Sequence, residues 1–173
     1  MIRGRGKAAA RGEEVGDRTR TDDRKRCVMI VEDDERVREL IAALLQAEGF
    51  RAVELADGME ALNYLAFSNV YHRDIPPPDL VVADIQMPNF SGLDLLMGMR
   101  ESPIRPPVML VTGIKDGEVH QEARRLGAAR VVTKPFDVDF FLNAVDDCLS
   151  RPPLPAVEPD VAIVTGAVAD AES

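Results

Sequence analysis

Glu32, Asp33, Asp84, Thr112 and Lys134 are the side chains through which this sequence could do chemistry. Each stands at or just beyond the end of a short apolar run: 27–31, 80–83, 108–111 and 130–133. Such runs are too short for helices and read as buried strands. Open α/β sheets place their chemistry at the carboxyl ends of such strands. Carboxylates gathered there repel one another unless a cation sits among them. Hard oxygen ligands select Mg²⁺, or alternatively Mn²⁺, over zinc. A divalent ion can bind a phosphoryl oxygen and neutralise charge during transfer. Thr112 and Lys134 can hold the other oxygens. Asp84 is ionised at neutral pH and can attack phosphorus without a base. The set therefore points to phosphoryl acceptance on Asp84. Taken singly, each residue has a plainer use: a turn acid, a strand hydroxyl, a solvated surface charge. Their joint placement at strand ends favours the chemical reading.

The elements that must position them alternate along the chain. The first strand, 27–31, leads to Glu32-Asp33-Asp34. A helix follows, with Val37, Leu40, Ile41, Leu44 and Leu45 at helical spacing and Gly49 as its stop. Asp34 reads as that helix's N-cap. Residues 51–55 form the second strand. Met59, Leu62 and Leu65 predict a short helix ending near Phe67, and 67–78 predicts a long connection ending in three prolines. The strand 79–84 comes next, and Met87-Pro88 breaks the chain after it. Leu93, Leu96 and Met97 predict a helix to about Arg100. Further elements are a strand at 108–111, a helix at 116–126 with a thin apolar stripe, a strand at 130–133, and a helix from Val138 to Leu149. Five strands alternating with five helices, most strands unbroken apolar runs, predict an α/β fold. Its parallel sheet is covered on both faces. The expected topology is doubly wound, in the order 2-1-3-4-5, with strands one and three adjacent at the switch point.

Composition narrows the functional classes. The chain has 173 residues and a formal net charge of −9. Residues 1–26 hold nine Lys+Arg against five Asp+Glu, so the other residues carry −13. An acidic body argues against nucleic-acid backbone binding by the folded part, so no direct DNA binding is expected. Residues 1–26 and 151–173 lack apolar periodicity and are expected to be a disordered arm and tail around a domain at 27–150. Twenty-three residues after 150 are too few for an output domain. No apolar run is long enough to span a membrane. Cys27 and Cys148 lie in apolar patterns and read as core residues, which suits a reducing cytoplasm. His72 and His120 read as surface residues without a partner.

Four motifs stand in order at the strand ends: VMIVEDD at 28–34, DLVVADIQMPNFSG at 79–92, MLVTG at 109–113 and VVTKPF at 131–136. Together they resemble the receiver domain of bacterial two-component response regulators, over about residues 27–150. The resemblance implies the flavodoxin-like receiver fold and a stand-alone phosphorylation switch rather than a turnover enzyme. Asp84 would take a phosphoryl group from a sensor histidine kinase or phosphotransfer protein, with only slow autodephosphorylation. Asp33 and Asp84 would ligate Mg²⁺ directly, Gln86 through its backbone carbonyl, and Glu32 through water. Lys134 would pair with Asp84 and then with the phosphoryl group, and Thr112 would hydrogen-bond a phosphoryl oxygen. The Lys134-Pro135 bond would be cis. A downstream protein would bind the face of helix four, strand five and helix five. Two features depart from the family pattern. Val131 stands where many receivers carry a switching Tyr or Phe, and the connection at 67–78 is long. Alternatives are a phosphate-independent adaptor of the same fold and a Mg²⁺-dependent phosphohydrolase. The latter would want a second acid two residues after Asp84, where Gln86 stands.

Overall fold

The computed structural model describes residues 24–71, 75–102 and 105–150. The expectations for 1–23, for His72 and for 151–173 lie outside the described residues. The element order is β1 (Cys27–Val31), α1 (Glu35–Ala47), β2 (Arg51–Leu55), α2 (Gly58–Val70), β3 (Leu80–Asp84), α3 (Gly92–Gly98), β4 (Val108–Thr112), α4 (Gly117–Arg125), β5 (Arg130–Thr133) and α5 (Val138–Leu149). All strand pairs are parallel, in the order β2-β1-β3-β4-β5. This is the doubly wound topology expected from the sequence.

Side chains alternate across a strand, and here both faces are covered. Met29, Val31, Val81, Ala83 and Leu110 point into one core layer with Ala61, Leu65, Leu95 and Ala123 of α2, α3 and α4. Val28, Ile30, Val82, Met109 and Val111 point into the other, with Ile41 and Leu45 of α1 and Phe141 and Val145 of α5. β1, β3 and β4 are buried along their whole length. That rigid triplet fixes where Glu32, Asp84 and Thr112 emerge. β2 is an edge strand with exposed Arg51 and Glu54, which is why its run is mixed rather than wholly apolar.

Helix ends follow local chemistry. Asp34 caps α1, accepting from Arg36 N (2.9 Å) and Val37 N (3.1 Å). Gly49 and Gly127 follow α1 and α4 at φ of 87° and 99°, a left-handed conformation that costs glycine little. Asp34→Ala should lower stability by about 1 kcal/mol, since one N-cap is lost. The melting midpoint should then fall by roughly 4 °C. Phosphoryl labelling should be unchanged; a lost label would make Asp34 part of the site instead of a cap.

Two boundaries differ from the sequence reading. α2 runs on to Val70, three residues past the expected end near Phe67. Its last turn exposes Phe67 and Val70, so no core-facing period marks it. The turn is held by Tyr71 N–H on the Phe67 carbonyl and by stacking of the Phe67 and Tyr71 rings. The long connection is correspondingly shorter. α3 ends at Gly98 and tightens into a 3₁₀ turn, Met99–Glu101, where one helix to Arg100 was expected.

Candidate functional site

The site lies where β1, β3, β4 and β5 end. Register places Val31 beside Ala83, so Glu32 and Asp84 leave adjacent strands at the same level. Thr112 pairs with Thr133, which brings Lys134 up beside them. The Lys134-Pro135 bond is cis, as expected. Lys134 Nζ donates to Asp84 Oδ2 and to Glu32 Oε2, both at 2.7 Å. One ammonium therefore bridges two carboxylates.

Asp84 is nearly buried, with 8% of its side chain exposed. Its Oδ1 accepts from Gln86 N at 2.9 Å. A carboxylate has about four lone-pair sites, so each oxygen keeps one for an incoming atom. Glu32 is buried, and its Oε1 also accepts from Asp34 N at 3.4 Å. Burial raises the Glu32 carboxyl above its ordinary range; the Lys134 hydrogen bond offsets part of this and the Asp84 charge adds to it. Burial acts to lower the Lys134 pKa, but the hydrogen bonds to Asp84 and Glu32 outweigh it, so its ammonium titrates above the usual lysine value.

Glu32, Asp33 and Asp84 each offer an oxygen within 4.8 Å of the other two. When all three are ionised, one ammonium leaves a formal surplus of two negative charges. An all-oxygen, acid-rich donor set of this size suits a hard divalent cation such as Mg²⁺ and would not select zinc. The residues present therefore fit the cation that the sequence implied. Asp33 is exposed, so it could complete such a site from the solvent side.

Glu32, expected to reach the cation through water, also takes Lys134 as a direct hydrogen-bond partner, a contact the sequence did not foretell. Gln86 touches Asp84 through its backbone N–H, and its side-chain oxygen lies over Gly113. Thr112 is wholly buried, and its Oγ1 accepts from Ile114 N at 3.0 Å. Two residues went unseen in the sequence. Arg38 of α1 donates to the Glu32 carbonyl at 2.7 Å and pins the β1–α1 turn. His120 has a partner after all: its Nε2 donates to the Ile114 carbonyl at 3.0 Å. No periodicity or motif signals either contact.

Away from the cleft, Arg124, Ala128, Ala129, Arg130, Val131 and Phe140 surround a shallow hollow of about 510 Å³ on the α4–β5–α5 side. Arg130 lies over the Phe140 ring, 5.6 Å from its centroid, and pairs with Asp147 at 3.0 Å. Cys27 and Cys148 are buried and unbridged. Among the described residues, no helix is long and apolar enough to cross a membrane.

Comparison with known proteins identifies the family of the fold. The regulatory protein AtoC of Escherichia coli is 35% identical over 112 residues, covering 65% of this chain and 23% of AtoC. The sporulation initiation phosphotransferase F of Bacillus subtilis is 29% identical, over 68% of this chain and 89% of its own. The transcriptional regulatory protein FixJ of Rhizobium meliloti is 33% identical, over 78% of this chain and 61% of FixJ. The chain thus spans only part of AtoC and FixJ. Among solved structures, the FixJ N-terminal fragment superposes with a TM-score of 0.63 at 26% identity, covering 76% of this chain and 99% of the fragment. A putative response regulator from Chloroflexus aurantiacus gives 0.64 at 25%, covering 74% and 100%. The family model for the response regulator receiver domain matches residues 28–146, and this chain belongs to that family.

Proposed function

We propose that this chain is a phosphorylation switch whose acceptor is Asp84. The observation that carries this reading is the Lys134 bridge to Asp84 and Glu32, beside an acid cluster sized for one cation. An Asp84 carboxylate oxygen attacks the phosphorus of a phosphohistidine on a sensor histidine kinase or phosphotransfer protein. A P–O bond forms as the P–N bond breaks, and the leaving imidazole takes up a proton. Asp33 and Asp84 would hold Mg²⁺, with the Gln86 carbonyl as a further ligand and Glu32 beside them. The cation would supply charge neutralisation at the phosphoryl oxygens. Lys134 holds Asp84 in place before transfer and holds a phosphoryl oxygen after it. Thr112 offers its hydroxyl to another phosphoryl oxygen.

Phosphorylation adds roughly two negative charges to the cleft, which can bias the loop after β4. The proposed output is protein binding at the α4–β5–α5 face. The hollow beside Val131, with two arginines and an exposed Phe140, supports that choice. The reading includes a cytoplasmic location, to which two buried cysteines without a disulfide are suited.

The test is incubation with acetyl phosphate and Mg²⁺, read by intact mass. The expected result is a gain of one phosphoryl group, abolished by EDTA. No gain would favour a phosphate-independent adaptor. Continuous fast phosphate release would favour a phosphohydrolase.

A further inference from the structure

We propose that His120 is a positioning residue that holds the Thr112 hydroxyl away from the phosphoryl site in the resting protein. The proposal rests on the phosphoacceptor reading. Ile114 is the middle of a short tether. Its N–H donates to Thr112 Oγ1 at 3.0 Å, and its carbonyl accepts from His120 Nε2 at 3.0 Å. The three residues connect the end of β4 to the body of α4. His120 and Ile114 are half-buried, which shields the bond between them from water.

Thr112 is fully buried, whereas the Asp84 and Lys134 side chains reach the open cleft with 8% and 24% exposure. Thr112 Oγ1 accepts from the loop, which leaves its O–H able to donate; moving that oxygen toward a phosphoryl group on Asp84 stretches and then releases the bond from Ile114 N. That release is resisted as long as His120 fixes the other side of the same residue. The segment that must move, Ile114 to Asp116, is bracketed by Gly113 and Gly117, and Gly117 has open space around it. Glycines at both ends let the backbone turn at small cost.

The arrangement gives α4 a link to the site that needs no aromatic side chain. Val131 is too short to swing between a buried and an exposed position. His120 sits on α4, one of the three elements that make up the face proposed for partner binding. When the hydroxyl moves toward a phosphoryl group, Ile114 moves with it and the His120 bond is lost or redirected. α4 is then released from one of its ties to the loop. By linkage, a partner that binds the released form would favour phosphorylation in return.

A net hydrogen bond of this kind is worth about 1 kcal/mol, so its loss should shift the equilibrium about fivefold. The test measures binding of beryllofluoride, a phosphoryl mimic, with Mg²⁺ present, by wild type, His120→Ala and His120→Gln. His120→Ala should bind two- to tenfold more tightly. His120→Gln, whose amide N–H can stand where Nε2 stands, should return to wild-type affinity. The Ile114 amide should exchange its hydrogen faster in His120→Ala without any ligand. A mere loss of stability would not tighten binding. Equal affinity for wild type and His120→Ala, or weaker binding by the alanine variant, overturns the tether. Absence of beryllofluoride binding in all three proteins would instead strike the phosphoacceptor reading, and the exchange rate at Ile114 would still judge the contact itself.

Discussion

Asp84→Asn should lower phosphoryl incorporation from acetyl phosphate by at least about 10³-fold, equivalent to ~4 kcal/mol of transition-state stabilisation. An amide oxygen carries no formal charge and is a far weaker nucleophile than a carboxylate. The variant should still fold. Asn can keep an acceptor toward Gln86 N, and Lys134 keeps Glu32 at 2.7 Å. Its amide N–H would face the lysine ammonium, donor against donor, unless the side chain turns. That loss is offset because one buried charge leaves a crowded cluster. Burial would still raise the Glu32 carboxyl, but the Asp84 contribution to that shift would be gone. The check is intact mass under saturating donor, with circular dichroism on the same sample. Wild-type labelling of a folded Asp84→Asn protein would move the acceptor to another acid of the cluster, Asp33 or Glu32.

The strand ends were legible in the sequence because buried parallel strands are written as plain apolar runs. β1, β3 and β4 are buried at every position, so the runs could hardly be read otherwise. Once topology is chosen, register follows, and Glu32, Asp84, Thr112 and Lys134 must converge. What a sequence does not encode is which oxygen meets which cation. Lys134 chose two acceptors, Asp84 and Glu32, both at 2.7 Å. That choice depends on side-chain rotamers in a crowded, low-dielectric cleft, where small displacements decide the pairing. His120 was unreadable for a related reason. Its partner is a backbone carbonyl six residues away, brought within reach only by the path of an irregular loop. α2 ran long because its final turn is stabilised by the helix's own bonds and ring stacking, not by core contacts that leave a period.

Gly92→Ala should both destabilise the protein and slow its labelling. A Cβ on Gly92 would collide with the carbonyl oxygen of Asp84 and crowd Leu110 Cδ2 at 3.1 Å. The obstacle is backbone, and it belongs to the acceptor residue itself. A flexible side chain could swing away; this carbonyl cannot, because β3 is held on both sides by β1 and β4. Gly92 N also donates to the Ile85 carbonyl at 3.3 Å, closing the loop onto the strand. Relief must come from pushing the start of α3 outward or from tilting the end of β3. Overpacking of this kind costs about 1–3 kcal/mol. Either movement displaces Asp84 relative to Lys134, and a misplacement near 1 Å can cost about 10²-fold in rate. A tenfold or larger slowing is therefore expected. Gly117→Ala is the fitting control. It has nothing within 4 Å and lies in the first turn of α4, so the same substitution there meets no clash and should add up to about 1 kcal/mol of stability. Wild-type kinetics and an unchanged melting midpoint for Gly92→Ala would mean that the close approach of α3 to β3 does not hold the acceptor in position.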